Sequence, residues 1–195
     1  MIAIVDYKCG NLRSVENALE RLSCPYELTA DPARLKAADK VILPGVGSAK
    51  AAMDNLRKAE LCEVIRSLRQ PVLGICVGLQ VMCRDSEEGP TEGLGIFDAH
   101  VRRFEAAPDA KVPHMGWNSL GNLDGKLFKG MESGAFVYFV HSYYAGLCQD
   151  TVATCRHGNT LFSAALRYEN FYGTQFHPEK SGDVGEQVLK NFLAL

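Results

Sequence analysis

The sequence predicts an α/β fold with a parallel sheet at its core and antiparallel strands added in the C-terminal half. Three observations predict it. Short apolar runs alternate with segments of helical spacing through the first half, in the order βαβαβ. From Leu94 onward the pattern changes to short alternating runs separated by turn residues, at 94–104, 111–117, 135–140, 143–147, 151–156, 161–167 and 171–176. The chain closes on Asp183 to Leu195, where Val184, Val188, Leu189, Phe192 and Leu193 fall on one helical face.

Residues 2–6 form an apolar first strand ending at Asp6, and Asn11 to Leu22 carries Leu12, Val15, Leu19 and Leu22 at helical spacing. The loop between them has one glycine and lacks the spacing of a dinucleotide or phosphate motif. Tyr26 to Thr29 alternates like a strand, Asp31-Pro32 reads as a helix entry, and Lys40 to Leu43 is the next strand. Ser48 onward is helical, with Ala51, Ala52, Leu56 and Ala59 spaced to pack, and Leu61 to Leu68 continues as helix. Gln70-Pro71 opens another strand, proline being tolerated at a strand's first residue. Residues 84–93 are polar and glycine-rich and read as a solvated loop.

The 195 residues read as a single domain, 1–195, with no repeat or linker to divide it and enough chain for a core without staples. Seven cysteines, with no C-x-x-C pair, suggest neither a disulfide framework nor a zinc site and fit a cytoplasmic setting. A net charge of −2 with no basic run excludes an electrostatic footprint for nucleic acid or anionic membrane. The apolar start is too short for a signal peptide, and no stretch reaches a membrane span of ~20 residues.

The organising stretch is Gly74-Ile75-Cys76-Val77-Gly78-Leu79-Gln80, entered from Val72-Leu73. A cysteine with glycine two residues to either side, between an apolar run and a helical segment, reads as a nucleophile elbow. The turn strains the central residue and leaves no room for a Cβ at the glycines. Unpaired N–H groups at a helix start favour thiolate, and the Val77 N–H would be free for an oxyanion. Taken alone, Cys76 reads equally well as a buried small hydrophobe. Gln80 lies one helical turn beyond it, facing either the nucleophile or solvent. Pro44-Gly45-Val46-Gly47 follows a strand directly and reads as an ordinary turn, the start of a dinucleotide motif, or a donor loop serving the same oxyanion.

The second half of the site is His177-Pro178-Glu179, at the end of the strand 171–176. Proline holds His177 extended at the strand terminus, and a carboxylate two residues on can reach one ring nitrogen and fix the tautomer. A thiol, a base and an orienting acid are the parts of a nucleophile triad, which recurs in unrelated chain orders. His141 follows an apolar strand and could face the same cleft; His100, His114 and His157 have no comparable context.

With G-I-C-V-G-L-Q and Q-F-H-P-E in place, the sequence resembles the class I (triad) glutamine amidotransferases. Within them, Pro113-His114-Met115-Gly116-Trp117-Asn118 and Val140-His141-Ser142-Tyr143-Tyr144 are similar to the branch that serves as glutaminase subunit of imidazole glycerol phosphate synthase. The resemblance covers the whole chain, departing at Lys8 and Cys9, which stand where small or apolar residues are expected.

The resemblance implies a three-layer, flavodoxin-like open sheet and a glutaminase without metal or cofactor. It implies Cys76 as nucleophile, His177 as base and Glu179 as its orienting acid. An oxyanion hole from Val46, Gly47 and Val77 follows, with Gly47, Gln80, Glu88, Ser142 and Tyr143 binding L-glutamine. A single domain of this length has no room for a synthase, so the resemblance implies a second chain, a cyclase subunit of (β/α)₈ type, docked as a heterodimer. Met115, Trp117, Asn118 and Tyr138 suit that interface, although Trp117 and Tyr138 could equally be core aromatics. The rival readings are a stand-alone cysteine hydrolase or peptidase, a glutaminase subunit of another synthase, and a silent binding module with a structural Cys76.

Overall fold

The computed structural model describes residues 1–8, 12–108 and 110–195. Cys9, Gly10 and Asn11 of the first loop, with the expected helix start at Asn11, lie outside the described residues, as does Asp109.

Strand β1 (Ile2–Val5) is followed by α1 (Arg13–Arg21), β2 (Tyr26–Thr29), α2 (Pro32–Ala37), β3 (Lys40–Leu43), α3 (Ala49–Lys58), α4 (Cys62–Arg66) and β4 (Val72–Ile75). Asp31 caps α2 as its sequence suggests, whereas Ser48, read as helical, stands just outside α3 as its cap. The Asp31 carboxylate accepts from the Ala33 N–H at 2.8 Å ahead of Pro32, and the Ser48 hydroxyl accepts from the Ala51 N–H at 3.1 Å. Helix α5 (Val77–Met82) begins one residue after β4.

The expected loop at 84–93 is instead a tight pair of two-residue strands, β5 (Asp85–Ser86) and β6 (Thr91–Glu92), paired antiparallel. Polar composition hid them, because strands this short need no apolar face of their own. The β-rich second half follows as expected: β7 (His100–Arg103), β8 (His114–Ser119), β9 (Phe136–His141), β10 (Tyr143–Ala145), β11 (Thr151–His157), β12 (Thr160–Tyr168) and β13 (Phe171–Thr174). A 3₁₀ turn at Pro178–Lys180 leads into α6 (Gly182–Leu193).

The main sheet has seven strands in the order β11-β12-β13-β4-β3-β1-β2. Its five consecutive members from β13 to β2 pair in parallel, and β12 and β11 extend it antiparallel. The core strands read as unbroken apolar runs because both faces are covered: β1 and β4 are buried at every position. A four-stranded sheet, β10-β7-β5-β6, and the antiparallel hairpin β8-β9 stand beside it. Among the described residues no helix is long and apolar enough to cross a membrane.

This topology positions the site. Strands β4 and β13 are adjacent and parallel, with Ile75 opposite Thr174, so both end at one edge of the sheet. Residues about a hundred positions apart are thereby delivered to the crevice outside the carboxyl ends of parallel strands, where such sheets place ligands.

Candidate active site

Cys76 sits between β4 and α5 at φ 53°, ψ −106°, a left-handed conformation for a residue with a Cβ. Such backbone costs about 1–3 kcal/mol and persists only where its surroundings enforce it. Here the enforcement is visible. The Cys76 N–H donates to the Thr174 carbonyl at 2.7 Å. A Cβ at Gly78 would fall on the carbonyl oxygen of Leu43, and one at Gly74 would lie 2.8 Å from the Gly78 carbonyl oxygen. The two flanking glycines are thus sites of close backbone approach, as the elbow reading requires.

His177 is buried at the end of β13, its N–H donating to the Tyr138 carbonyl at 3.0 Å. Its Nδ1 lies 2.7 Å from Glu179 Oε1, so the carboxylate fixes the ring with Nε2 as the free nitrogen. That Nε2 is buried and makes no hydrogen bond. The sulfur of Cys76 nevertheless lies close enough to act on it. Burial pushes the imidazolium down, but Cys76 and then Glu179 outweigh burial and lift the His177 pKa to about 10. The sulfur thus acts on the ring first as a near hydrogen-bond partner and then as a charge. Because α5 spans only Val77–Met82, its dipole is slight, and the imidazolium is the main partner for a thiolate.

Cys76 and His177 share one pocket of about 320 Å³ with Val46, Gly47, Val77, Gln80, Glu88, Ser142 and Tyr143. Glu179 stands behind His177, outside the lining. His141 lines it as well, as its place after an apolar strand allowed, together with three residues that the sequence did not single out: Pro113, Val140 and Lys180. Val140 shows itself only through its carbonyl, 4.0 Å from the sulfur, a contact with no side-chain signature.

Two expectations change here. The Val77 N–H is not free: it donates to the Gly45 carbonyl at 3.4 Å. As the first residue of a helix, Val77 has no intrahelical acceptor, and the loop after β3 supplies one. Glu88 is not a solvated loop charge either. Its Oε2 accepts from the Ala49 N–H at 2.6 Å at the start of α3, which turns the carboxylate into the pocket.

Gln80 is buried, and both hydrogens of its amide are committed, to the Tyr143 carbonyl at 2.8 Å and to Gln175 Oε1 at 3.0 Å. Gln175 in turn points Nε2 at the Cys76 sulfur at 3.6 Å. Gly47 takes φ +91°, open to glycine and strained for other residues.

Met115, Trp117, Asn118 and Tyr138 lie outside the pocket, on the hairpin β8-β9, where Trp117 pairs with Tyr138 and their rings stand 6.2 Å apart. Met115 is 63% exposed, Trp117 55% and Phe136 57%, so Trp117 is not a core aromatic. These three large apolar side chains present one contiguous strip of the kind that marks an interaction surface. Asn118 differs from them: its amide is spent internally, on His114 Nε2 at 3.1 Å and the Arg156 carbonyl at 2.9 Å.

Residues 3–195 match the family model for glutamine amidotransferase class-I. The chain is 53% identical over 195 residues to imidazole glycerol phosphate synthase subunit HisH of Bacteroides thetaiotaomicron, covering 100% of this chain and 99% of that one. It is 45% identical over 196 residues to the protein of that name from Escherichia coli K12, with the same coverage. Among solved structures, a glutamine amidotransferase superposes with TM-score 0.74 at 19% identity, covering 100% of this chain and 98% of that chain. A glutamine amidotransferase from Thermotoga maritima gives TM-score 0.64 at 17% identity, covering 99% of this chain and 82% of that chain. At those identities the structures speak for the fold alone.

Proposed function

The chain belongs to the class I glutamine amidotransferases, and from that premise we propose that it is the glutaminase subunit of an imidazole glycerol phosphate synthase, serving histidine biosynthesis in the cytoplasm. The observation that carries the reaction is the strained Cys76 facing the same pocket as a buried His177 whose far nitrogen is held by Glu179.

Glutamine enters with its carboxamide toward Cys76. The thiolate attacks the carboxamide carbon, and the oxyanion is met by the N–H of Val77 and by the Val46-Gly47 loop. His177, carrying the proton in its ion pair with sulfur, gives it to the leaving nitrogen, and ammonia departs from a glutamyl thioester. Water, deprotonated by His177, attacks the thioester and releases glutamate and the thiolate. Gly47, Gln80, Glu88, Ser142 and Tyr143 hold the amino-acid end of the substrate. Glu88 supplies the negative charge an ammonium group needs.

The ammonia passes to a synthase subunit on a separate chain. We propose a cyclase of (β/α)₈ type docked on the face of the β8-β9 hairpin that carries Met115 and Trp117, with Tyr138 paired to Trp117. The Val77–Gly45 bond favours this dependent role over a stand-alone hydrolase, since the donor must be released before an oxyanion can be bound.

The test is ammonia release from glutamine with and without the synthase subunit, together with labelling of the thiol by an electrophilic glutamine analogue. Release that needs the partner and stops in Cys76→Ala supports the proposal. Labelling at another cysteine, or glutamine hydrolysis that survives in Cys76→Ala, overturns it.

A further inference from the structure

Running back from His141 at the pocket wall, two histidines lie in a hydrogen-bond chain that the reaction does not use. Its direction can be read from one end. The Ser119 N–H donates to Asn118 Oδ1 at 2.8 Å, so the other atom of that amide is nitrogen, and it donates to the Arg156 carbonyl and to His114 Nε2. His114 therefore carries its hydrogen on Nδ1, which stands 3.0 Å from His141 Nε2. His141 must accept there, which places its hydrogen on Nδ1, donating to the Tyr143 carbonyl at 2.7 Å.

That carbonyl takes its second bond from Gln80, whose amide leads through Gln175 to the Cys76 sulfur. Every atom along the path has a single role. An added proton on either ring would set two hydrogens against each other, as in any chain of buried polar groups with no spare acceptor.

The surroundings keep both rings uncharged. His114 stacks on Phe139 with centroids 4.7 Å apart and on His157 at 4.2 Å, while Phe104 and Phe162 close over His141 at 5.3 and 5.4 Å. His157 faces away, its Nε2 on the Lys111 carbonyl at 2.9 Å. Burial, with repulsion from His157, lowers His114 to about 4. Burial is also the main cause that lowers His141 to about 3, with His114, His157 and His177 adding repulsion.

We propose that His114 and His141, set in direction by Asn118, are positioning residues: their one-way relay fixes the Tyr143 carbonyl and, through it, the Gln80 amide beside the nucleophile. This rests on the reading of the pocket as a glutaminase site. Both histidines are placed on strands β8 and β9 directly opposite one another, so the relay crosses the hairpin at one register position. A pair of apolar residues there would fill the same space without orienting anything.

The experiment uses the chain in complex with its synthase partner and measures KM for glutamine, kcat, and the rate of Cys76 alkylation by iodoacetamide. The variants are His114→Asn, His114→Gln, His141→Leu and the double leucine replacement. Asparagine keeps an N–H near the place of Nδ1 and so keeps the donation to His141; glutamine moves it toward the place of Nε2. His141→Leu is expected to raise KM about tenfold with kcat changed less than about threefold, the size of one lost hydrogen bond. His114→Gln should follow it, His114→Asn should stay within about twofold of the parent, and the double leucine variant should match His141→Leu alone.

Equal behaviour of the asparagine and glutamine variants, or a double leucine variant whose loss clearly exceeds that of His141→Leu alone, overturns the relay. The asparagine–glutamine pair decides even where leucine prevents folding. Nitrogen chemical shifts of the parent rings at pH 7 should show both hydrogens on Nδ1; a hydrogen on Nε2 of either ring also overturns it. Should the parent complex release no ammonia from glutamine, the glutaminase reading fails, while the ring shifts still decide the relay.

Discussion

The N–H of Val77 and the carbonyl of Gly45 face each other at 3.4 Å, a long bond that occupies the donor we propose for the oxyanion. The isolated chain should therefore hydrolyse glutamine slowly, and the synthase partner should accelerate it by about 10²–10³-fold, the usual worth of one oxyanion donor. A glutamate-release assay across a titration of the partner checks this. Gly47→Ala, strained at φ +91° but free of neighbours within 4 Å, should fold normally and lose most of the acceleration.

Glu179→Gln removes one of the two groups that lift His177 to about 10. Its pKa should fall in the variant, as read by NMR titration, and kcat should drop about 10²-fold or more as the ring loses its orienting partner. An unchanged His177 titration would remove Glu179 from the ion-pair network.

Cys76→Ala and Cys76→Gly should both be inactive, yet differ in stability. Alanine keeps the Cβ that φ 53° penalises, whereas glycine does not. The glycine variant should be more stable in urea by about 1 kcal/mol, against the usual ranking of the two residues.

Stability should have opposite slopes on the two sides of neutrality. His177, raised to about 10, contributes stability that is fully present below the unfolded histidine pKa of about 6.5 and lost as pH rises through about 10. His114 and His141, lowered to about 4 and 3, contribute stability present above about 6.5 and lost as pH falls through those values. Urea midpoints from pH 3 to 10, compared with His141→Leu, should show a shallower acid slope in the variant.

Glu88→Gln should raise KM for glutamine about tenfold or more by removing a charge from the pocket, with little loss of stability, because the amide oxygen can still accept from Ala49. Glu88→Ala should add a stability loss of about 1 kcal/mol for the missing cap.

The parts of this molecule that rest on local chemistry were readable along the chain. The Asp31 cap, the apolar runs of β1, β3 and β4, and the glycines about Cys76 each follow from a local rule, and each stands where the rule puts it. What escaped depends on partners distant in sequence. Glu88 looks solvated until α3 arrives beside it, and the Val77 N–H looks free until Gly45 does. His114 carries no mark of its own in the sequence, because its meaning comes from sitting opposite His141 across a hairpin.

The side-by-side course of β4 and β13 has a consequence for biosynthesis. While the polypeptide is still leaving the ribosome, its thiol is made long before its imidazole, and nothing completes the pair until the last strand slots in beside the fourth. On the proposed mechanism, a copy cut short before that strand lacks the imidazole and should release no ammonia even when the synthase partner is present.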